Sequence, residues 1–312
     1  MSDIQHFVPP AGAREVDLLA RLRQPIPAGV TSVYVETYSR PGDLVLVPYC
    51  QGPGVVREIV AAGRRALALN FDPLLALLTQ VLLAPPPARE LDAAVTRVGD
   101  SLKQGLPLRR TLMDLYTTTC PACLRPVAAD YFVWERDGEA PLAKQIHCPH
   151  CDWDGEAATG PEDREQAAEV RPRGMQYHWV RERVVPALGT EPGLRERLEN
   201  LLALYSDRSL YALAELSIKV EGLFEGPVQQ ALKLLLLDCL DRCSALTVPP
   251  GRATRRDGLT RPPRYLECNV WRAFEAAAVR LKLAAGQPGL ALARSMEELL
   301  APGAGSPAFA GQ

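Results

Sequence analysis

The chain has 312 residues, with 35 basic and 37 acidic side chains and a formal net charge of −2. This length holds one large or two medium domains with ample core, and the charge balance excludes a global field for nucleic acid, so any such surface must be a local patch. No apolar run approaches a membrane span, and Met1 to His6 lack the basic and apolar regions of a signal peptide, so a soluble cytoplasmic protein is expected. Four of the 8 cysteines fall in two Cys-x-x-Cys pairs. In a reducing compartment that pattern points to metal rather than disulfides.

Residues 1–30 read as a loose lead-in broken by Pro9, Pro10, Pro25 and Pro27, with a short helix around Val16 to Leu22 and a further helix from Ser32 to Tyr38. From Arg40 to Leu78 the pattern is one β-loop-α-β unit. Leu44 to Val47 is an apolar run suited to a buried strand. Tyr49 to Gly54 is a loop with two glycines, and Val55 to Ala62 has helical spacing that stops at Gly63, a C′ glycine. Ala66 to Leu69 is a second buried strand, ending at Asn70-Phe71-Asp72-Pro73, where the next helix begins. Such a unit can hold a nucleotide-like cofactor: glycines let the backbone approach it, helix N-terminal amides face it, and Asn70 or Asp72 can bond a ribose. A tight turn in any α/β domain is the alternative reading.

Leu74 to Leu83 is an apolar helix stopped by Pro85-Pro86-Pro87, a stiff spacer. Ala88 to Lys103 is amphipathic and leads to Cys120-Pro-Ala-Cys123 and Cys148-Pro-His-Cys151. Two knuckles of this spacing supply the four sulfurs of a closed tetrahedral zinc site, which is structural because it leaves no open position. Between them, Asp130 to Arg136 and Lys144 to His147 flank an Asp137-Gly138 turn, the hairpin of a zinc ribbon. Tyr131, Phe132, Trp134 and Trp153 are too many aromatics for solvent, and some belong to the ribbon's own core. Gly155 to Arg173 is polar and reads as a loop. Helical spacing resumes at Met175 and continues through Leu194 to Ala203, Leu210 to Val220 and Val228 to Cys243. Arg252, Arg255, Arg256, Arg261 and Arg264 share one loop that either neutralises phosphates or is simply solvated. Tyr265 to Glu275 reads as a helix initiated by Asn269. From Ala301 the sequence reads as a disordered tail.

The wording around the first loop, Pro-Gly-Asp-Leu-Val-Leu-x-Pro-Tyr-Cys followed by Gly-Pro-Gly and Ala-Gly-Arg-Arg-Ala-Leu-Ala-Leu-Asn-x-Asp-Pro-Leu, resembles the cofactor region of the DNA amino-methyltransferases. These S-adenosylmethionine enzymes methylate the exocyclic nitrogen of adenine or cytosine. The helical block and the phrase Glu267-x-Asn269-x-Trp271 also resemble zinc-containing members. The resemblance implies an S-adenosylmethionine site lined by Pro48, Tyr49, Gly52, Gly54, Asn70 and Asp72. Three positions depart from the family: Val47 stands where it has aspartate, Gln51 is a one-residue insertion, and Asn70 replaces the acidic ribose ligand. The base-holding Asp-Pro-Pro-Tyr-type loop does not occur in these residues, so no residue takes a catalytic role.

The expected fold is therefore α/β: a partial Rossmann-like methyltransferase unit (1–84), a helical linker (85–116), an inserted zinc ribbon (117–156), a large α-helical region (174–300) and the tail (301–312). The expected cofactors are structural zinc and S-adenosylmethionine. The expected partners are DNA and a second subunit with the catalytic loop. Two other readings remain open: a non-catalytic zinc-braced nucleic-acid-binding or assembly module, and an unrelated Rossmann-like nucleotide enzyme.

Overall fold

The computed structural model describes residues 7–9, 18–22, 27–169, 182, 193–250, 259–284, 289–301 and 307–311. In chain order the elements are a 3-10 turn (Ala20–Leu22), α1 (Val30–Tyr38), β1 (Leu44–Val47), α2 (Pro53–Ala61), β2 (Arg65–Leu69), α3 (Pro73–Leu83) and α4 (Ala88–Asp100). Two short strands, β3 (Leu102–Lys103) and β4 (Leu106–Pro107), precede α5 (Leu108–Asp114). Then come β5 (Thr117–Thr119), β6 (Pro126–Ala128), β7 (Tyr131–Glu135), β8 (Ala143–His147), β9 (Asp154–Ala158) and α6 (Pro161–Glu169). Helices Leu194–Leu202, Asp207–Glu221 and Pro227–Arg242 lead to β10 (Arg264–Cys268), helices Val270–Ala284 and Met296–Leu300, and β11 (Ala308–Gly311). The chain is mixed α/β. No helix among the described residues is long and apolar enough to cross a membrane.

Two compact units emerge: Met1–Leu91 with Glu225–Leu234 and Val279–Gln312, and Asp92–Phe224 with Leu235–Ala278. The expected consecutive segments are cut differently, because residues 174–300 divide between both units. In the first unit, β1 and β2 pair in parallel from Leu44 opposite Arg65 to Val47 opposite Ala68. Parallel pairing requires a crossover, and α2 supplies it. Pro53 opens α2 and Pro73 opens α3, where a missing N–H costs nothing. Gly63 closes the crossover helix at φ 76°, which a side chain would strain. Val56, Ile59, Ala66, Ala68 and Leu83 form the buried core between helices and sheet.

The tail departs from expectation. Residues 308–311 are not disordered; they form β11, parallel to β2 with Ala308 opposite Ala66 and Gly311 opposite Leu69. Alternation explains it, since Ala308 and Ala310 turn into the core beside Ala66 and Ala68.

In the second unit, β10, β7, β8 and β9 make an antiparallel sheet in that order. The β7–β8 hairpin is the one expected around Asp137-Gly138. The stretch expected as a polar loop from Gly155 to Arg173 instead holds most of β9 and all of α6. Its polar pattern is that of an edge strand, whose outer positions Asp154 and Glu156 face solvent, and of a helix anchored by one residue. That anchor is Asp163, buried and paired with Lys144 at 2.9 Å, with Thr118 Oγ1 donating to it as well.

Tyr265 to Cys268 belong to β10, and the helix expected from Tyr265 begins after Asn269. Glu267 on this strand is buried and accepts from Arg208 Nε at 3.0 Å and Nη2 at 2.5 Å. Trp134 Nε1 donates to its second oxygen at 2.7 Å, and Ser206 Oγ donates to the first. The Arg208 guanidinium lies 4.5 Å from the Phe132 ring centre and 5.2 Å from that of Tyr116. Burial alone lowers the pKa of Arg208, but Glu267 beside it more than reverses this and holds the charge.

The phrase Glu267-x-Asn269-x-Trp271 is thus structural throughout. Asn269 caps the following helix by accepting from Arg272 N–H at 3.3 Å and donates to the Ala129 carbonyl at 3.0 Å. Trp271 is buried, and Gly99 makes room for it: a Cβ there would sit 2.9 Å from the indole edge. Glu267→Ala leaves a buried guanidinium unpaired and is expected to cost about 3–5 kcal/mol. A urea titration reads this as a lower midpoint at unchanged slope; an unmoved midpoint contradicts it.

Candidate metal centre and cofactor loop

Each knuckle is shaped by its backbone. The Cys120 N–H donates to the Arg125 carbonyl at 3.0 Å, and the Leu124 N–H returns to the Cys120 carbonyl at 3.0 Å. The second knuckle repeats this, Cys148 to Trp153 at 2.8 Å and Asp152 to Cys148 at 3.0 Å. To close these turns, Leu124 and Asp152 adopt left-handed φ values of 59° and 55°. Non-glycine residues rarely do so without local reward. Here the reward is aim.

The sulfurs of Cys120, Cys123, Cys148 and Cys151 all lie within 4.8 Å of one another. Cys120 and Cys151 approach to 3.8 Å, and Cys123 and Cys148 to 3.7 Å. A tetrahedral zinc with Zn–S near 2.3 Å would separate its sulfurs by about 3.8 Å. The donor set and its dimensions fit a metal such as zinc. His147 and His150 are exposed and fall outside the group.

Charge makes the same point. The Cys120 thiol is lowered to about 7, first by the backbone amide of Cys123 pointing at its sulfur. The Trp153 amide favours the Cys151 thiolate, yet desolvation and the other three sulfurs outweigh it and push that thiol up to about 12. Four thiolates this close need a cation between them. The sulfurs also form part of the packing, since Cys120 and Cys148 are buried with Val127 and Ile146 and Trp153 covers them.

The glycine loop expected to hold a cofactor lies in the other unit, after β1 and beside the end of β2. The Cys50 N–H donates to the Leu69 carbonyl at 3.0 Å, which fastens the loop to the end of β2. Gly52 stands at the N-cap of α2 without a side-chain cap. Tyr49 is exposed, and its ring centre is 6.2 Å from that of Phe71, itself 85 % exposed. Sequence reading passed over Phe71, although an aromatic just after a buried strand was a legible signal.

Asn70 and Asp72 take other work. Asn70 is buried; its Nδ2 donates to the Cys50 carbonyl at 2.8 Å and its Oδ1 accepts from the Asp72 N–H at 2.9 Å. Asp72 Oδ1 caps α3 by accepting from the Leu74 N–H at 2.9 Å. Cys50 is buried against the loop, its thiol pushed up by desolvation, so it is a poor nucleophile.

Of the five arginines, Arg252, Arg255 and Arg256 lie outside the described residues. Arg261 sits 5.8 Å from the Tyr265 ring centre and donates to the Ala203 carbonyl. Arg264 pairs with Glu135 at 3.4 Å, both about half exposed.

No protein-family model, curated protein or solved structure matches this chain.

Cys148→Ser removes one of four donors and is expected to drop bound zinc from one equivalent to well below it, measured by atomic absorption after desalting. Unchanged zinc content would rule the cluster out as the metal site. Because protons compete for thiolates, zinc held by the parent chain should be released as pH falls and retained as it rises.

Proposed function

We propose that this chain supplies the S-adenosylmethionine-binding unit and a zinc-braced ribbon of a DNA adenine/cytosine amino-methylation system, with the base-holding loop provided by a second polypeptide. One observation supports this reading: the parallel β1-loop-α2-β2 unit carries Tyr49 and Phe71 side by side at its carboxyl end, where open α/β sheets receive their ligands. Two exposed rings offer stacking to an adenine, and the uncapped start of α2 offers amides to an anionic group. Pro48, Tyr49, Gly52 and Gly54 would line the cofactor. Zinc at Cys120, Cys123, Cys148 and Cys151 has all four positions filled by protein and acts on structure alone. Arg252, Arg255, Arg256, Arg261 and Arg264 are the residues offered to DNA phosphates, in keeping with the resemblance in wording.

A second reading, a non-catalytic zinc-dependent nucleic-acid-binding or assembly module, is favoured by a specific observation. Asn70 and Asp72 spend their polar atoms on the loop and on α3, leaving no acidic side chain poised for a ribose.

Calorimetric titration of the zinc-loaded chain with S-adenosylmethionine separates the two. The methylation reading expects a dissociation constant on the order of micromolar. Tyr49→Ala and Phe71→Ala should each weaken it about tenfold by loss of stacking. Absence of any binding heat would sink it in favour of the second reading.

A further inference from the structure

Strand β5 is paired on one side. Ala129 N–H donates to the Tyr116 carbonyl at 2.9 Å and Cys120 N–H to the Arg125 carbonyl at 3.0 Å. In an antiparallel ladder bonded pairs recur every second residue, so the positions facing β6 are 116, 118 and 120. Thr117 and Thr119 therefore turn their N–H and C=O groups outward. Among the described residues these groups have no partner.

Beside this strand, between the β5–β6 hairpin and α6, lies a cleft of about 340 Å³. Thr117, Thr118 and Thr119 with Pro126 of β6 form one wall, and α6 forms the other with Glu162, Asp163, Glu165 and Gln166. The far wall is braced from beneath. Asp163 takes the buried Lys144 ammonium at 2.9 Å, and Lys144 also donates to Thr118 Oγ1 at 2.6 Å. Thr119 Oγ1 donates to Glu162 at 3.3 Å, and Gln166 Nε2 to the Asp114 carbonyl at 3.2 Å. Glu162 and Glu165 remain exposed at the rim. Among the described residues no cationic side chain lines the cleft, since the charge of Lys144 is taken up by Asp163.

We propose that this edge docks an extended peptide with Lys or Arg at alternate positions, which adds to β5 as a further strand. Outward N–H and C=O groups two residues apart match the main chain of an incoming strand, whose side chains alternate in direction. Strand addition thus aims every second side chain at the α6 wall, where two carboxylates select for cations. The same carboxylates repel phosphate, so a nucleic acid is the wrong occupant. Native sheets blunt an open edge with charge, proline or shortness; β5 is short, and its three residues are threonines that carry neither charge nor proline. The inference concerns a partner protein and stands apart from the methylation reading.

The test uses the zinc-loaded full chain, labelled with nitrogen-15, and the synthetic peptide acetyl-Lys-Val-Lys-Val-Lys-amide. Titration should shift the amide resonances of Thr117 and Thr119 and slow their exchange with deuterium. A peptide N-methylated at the two valines should bind about tenfold more weakly, because strand hydrogen bonds are lost while charge is kept. Glu162→Lys with Glu165→Lys, both at exposed positions, should weaken the parent peptide by about tenfold and flatten its salt dependence. Unmoved Thr117 and Thr119 amides overturn the proposal, as does equal binding of the N-methylated peptide or of its all-glutamate counterpart.

Discussion

Four sulfur atoms in the second unit are held within 4.8 Å of one another. Thiolates 3.8 Å apart repel by about 4 kcal/mol per pair at an effective dielectric of about 20. All four can be ionised together only around a cation, and the local backbone is bent to bring them together. The apolar residues packed directly with the sulfurs are few, Val127 and Ile146 with part of Trp153. From the cluster, order passes outward through the β7–β8 hairpin. Phe132 on β7 lies under Arg208, Arg208 holds Glu267, and Glu267 sits on β10, a strand far away in sequence. Sulfur cluster, aromatic ring and ion pair thus follow one another through the second unit.

Elements with local signatures were legible from residue order. The Cys-x-x-Cys pairs, the Asp137-Gly138 hairpin, the β1-α2-β2 unit and the stop at Gly63 all follow from spacing and turn chemistry. Less legible were the pieces that depend on partners far along the chain. Ala308–Gly311 carries no strong strand pattern of its own and becomes a strand because β2 has an open edge beside it. Asp154–Ala158 and Pro161–Glu169 are polar enough to pass for a loop; burial of Asp163 against Lys144 is what fixes the helix. Asn70 and Asp72 were assigned to a ligand by position, whereas their side chains close the loop and cap the helix. In each case a tertiary hydrogen bond decided what local propensity left open.

The first unit presents a physical tension. Its loop carries two exposed rings, Tyr49 and Phe71, side by side. Yet the polar groups at the end of β2 are already satisfied internally, which stabilises the loop without a ligand. Under the proposed reading, affinity for a nucleoside would come from stacking and backbone amides, with less discrimination at the ribose.

The most direct measurement is hydrogen–deuterium exchange of the purified chain before and after zinc is removed with a chelator. If the four sulfurs hold a metal on which the second unit depends, its removal should speed exchange across β5 to β9 and in β10, with β1 and β2 unchanged. Exchange that stays slow through the ribbon and β10 after complete zinc removal would contradict the metal-centred account.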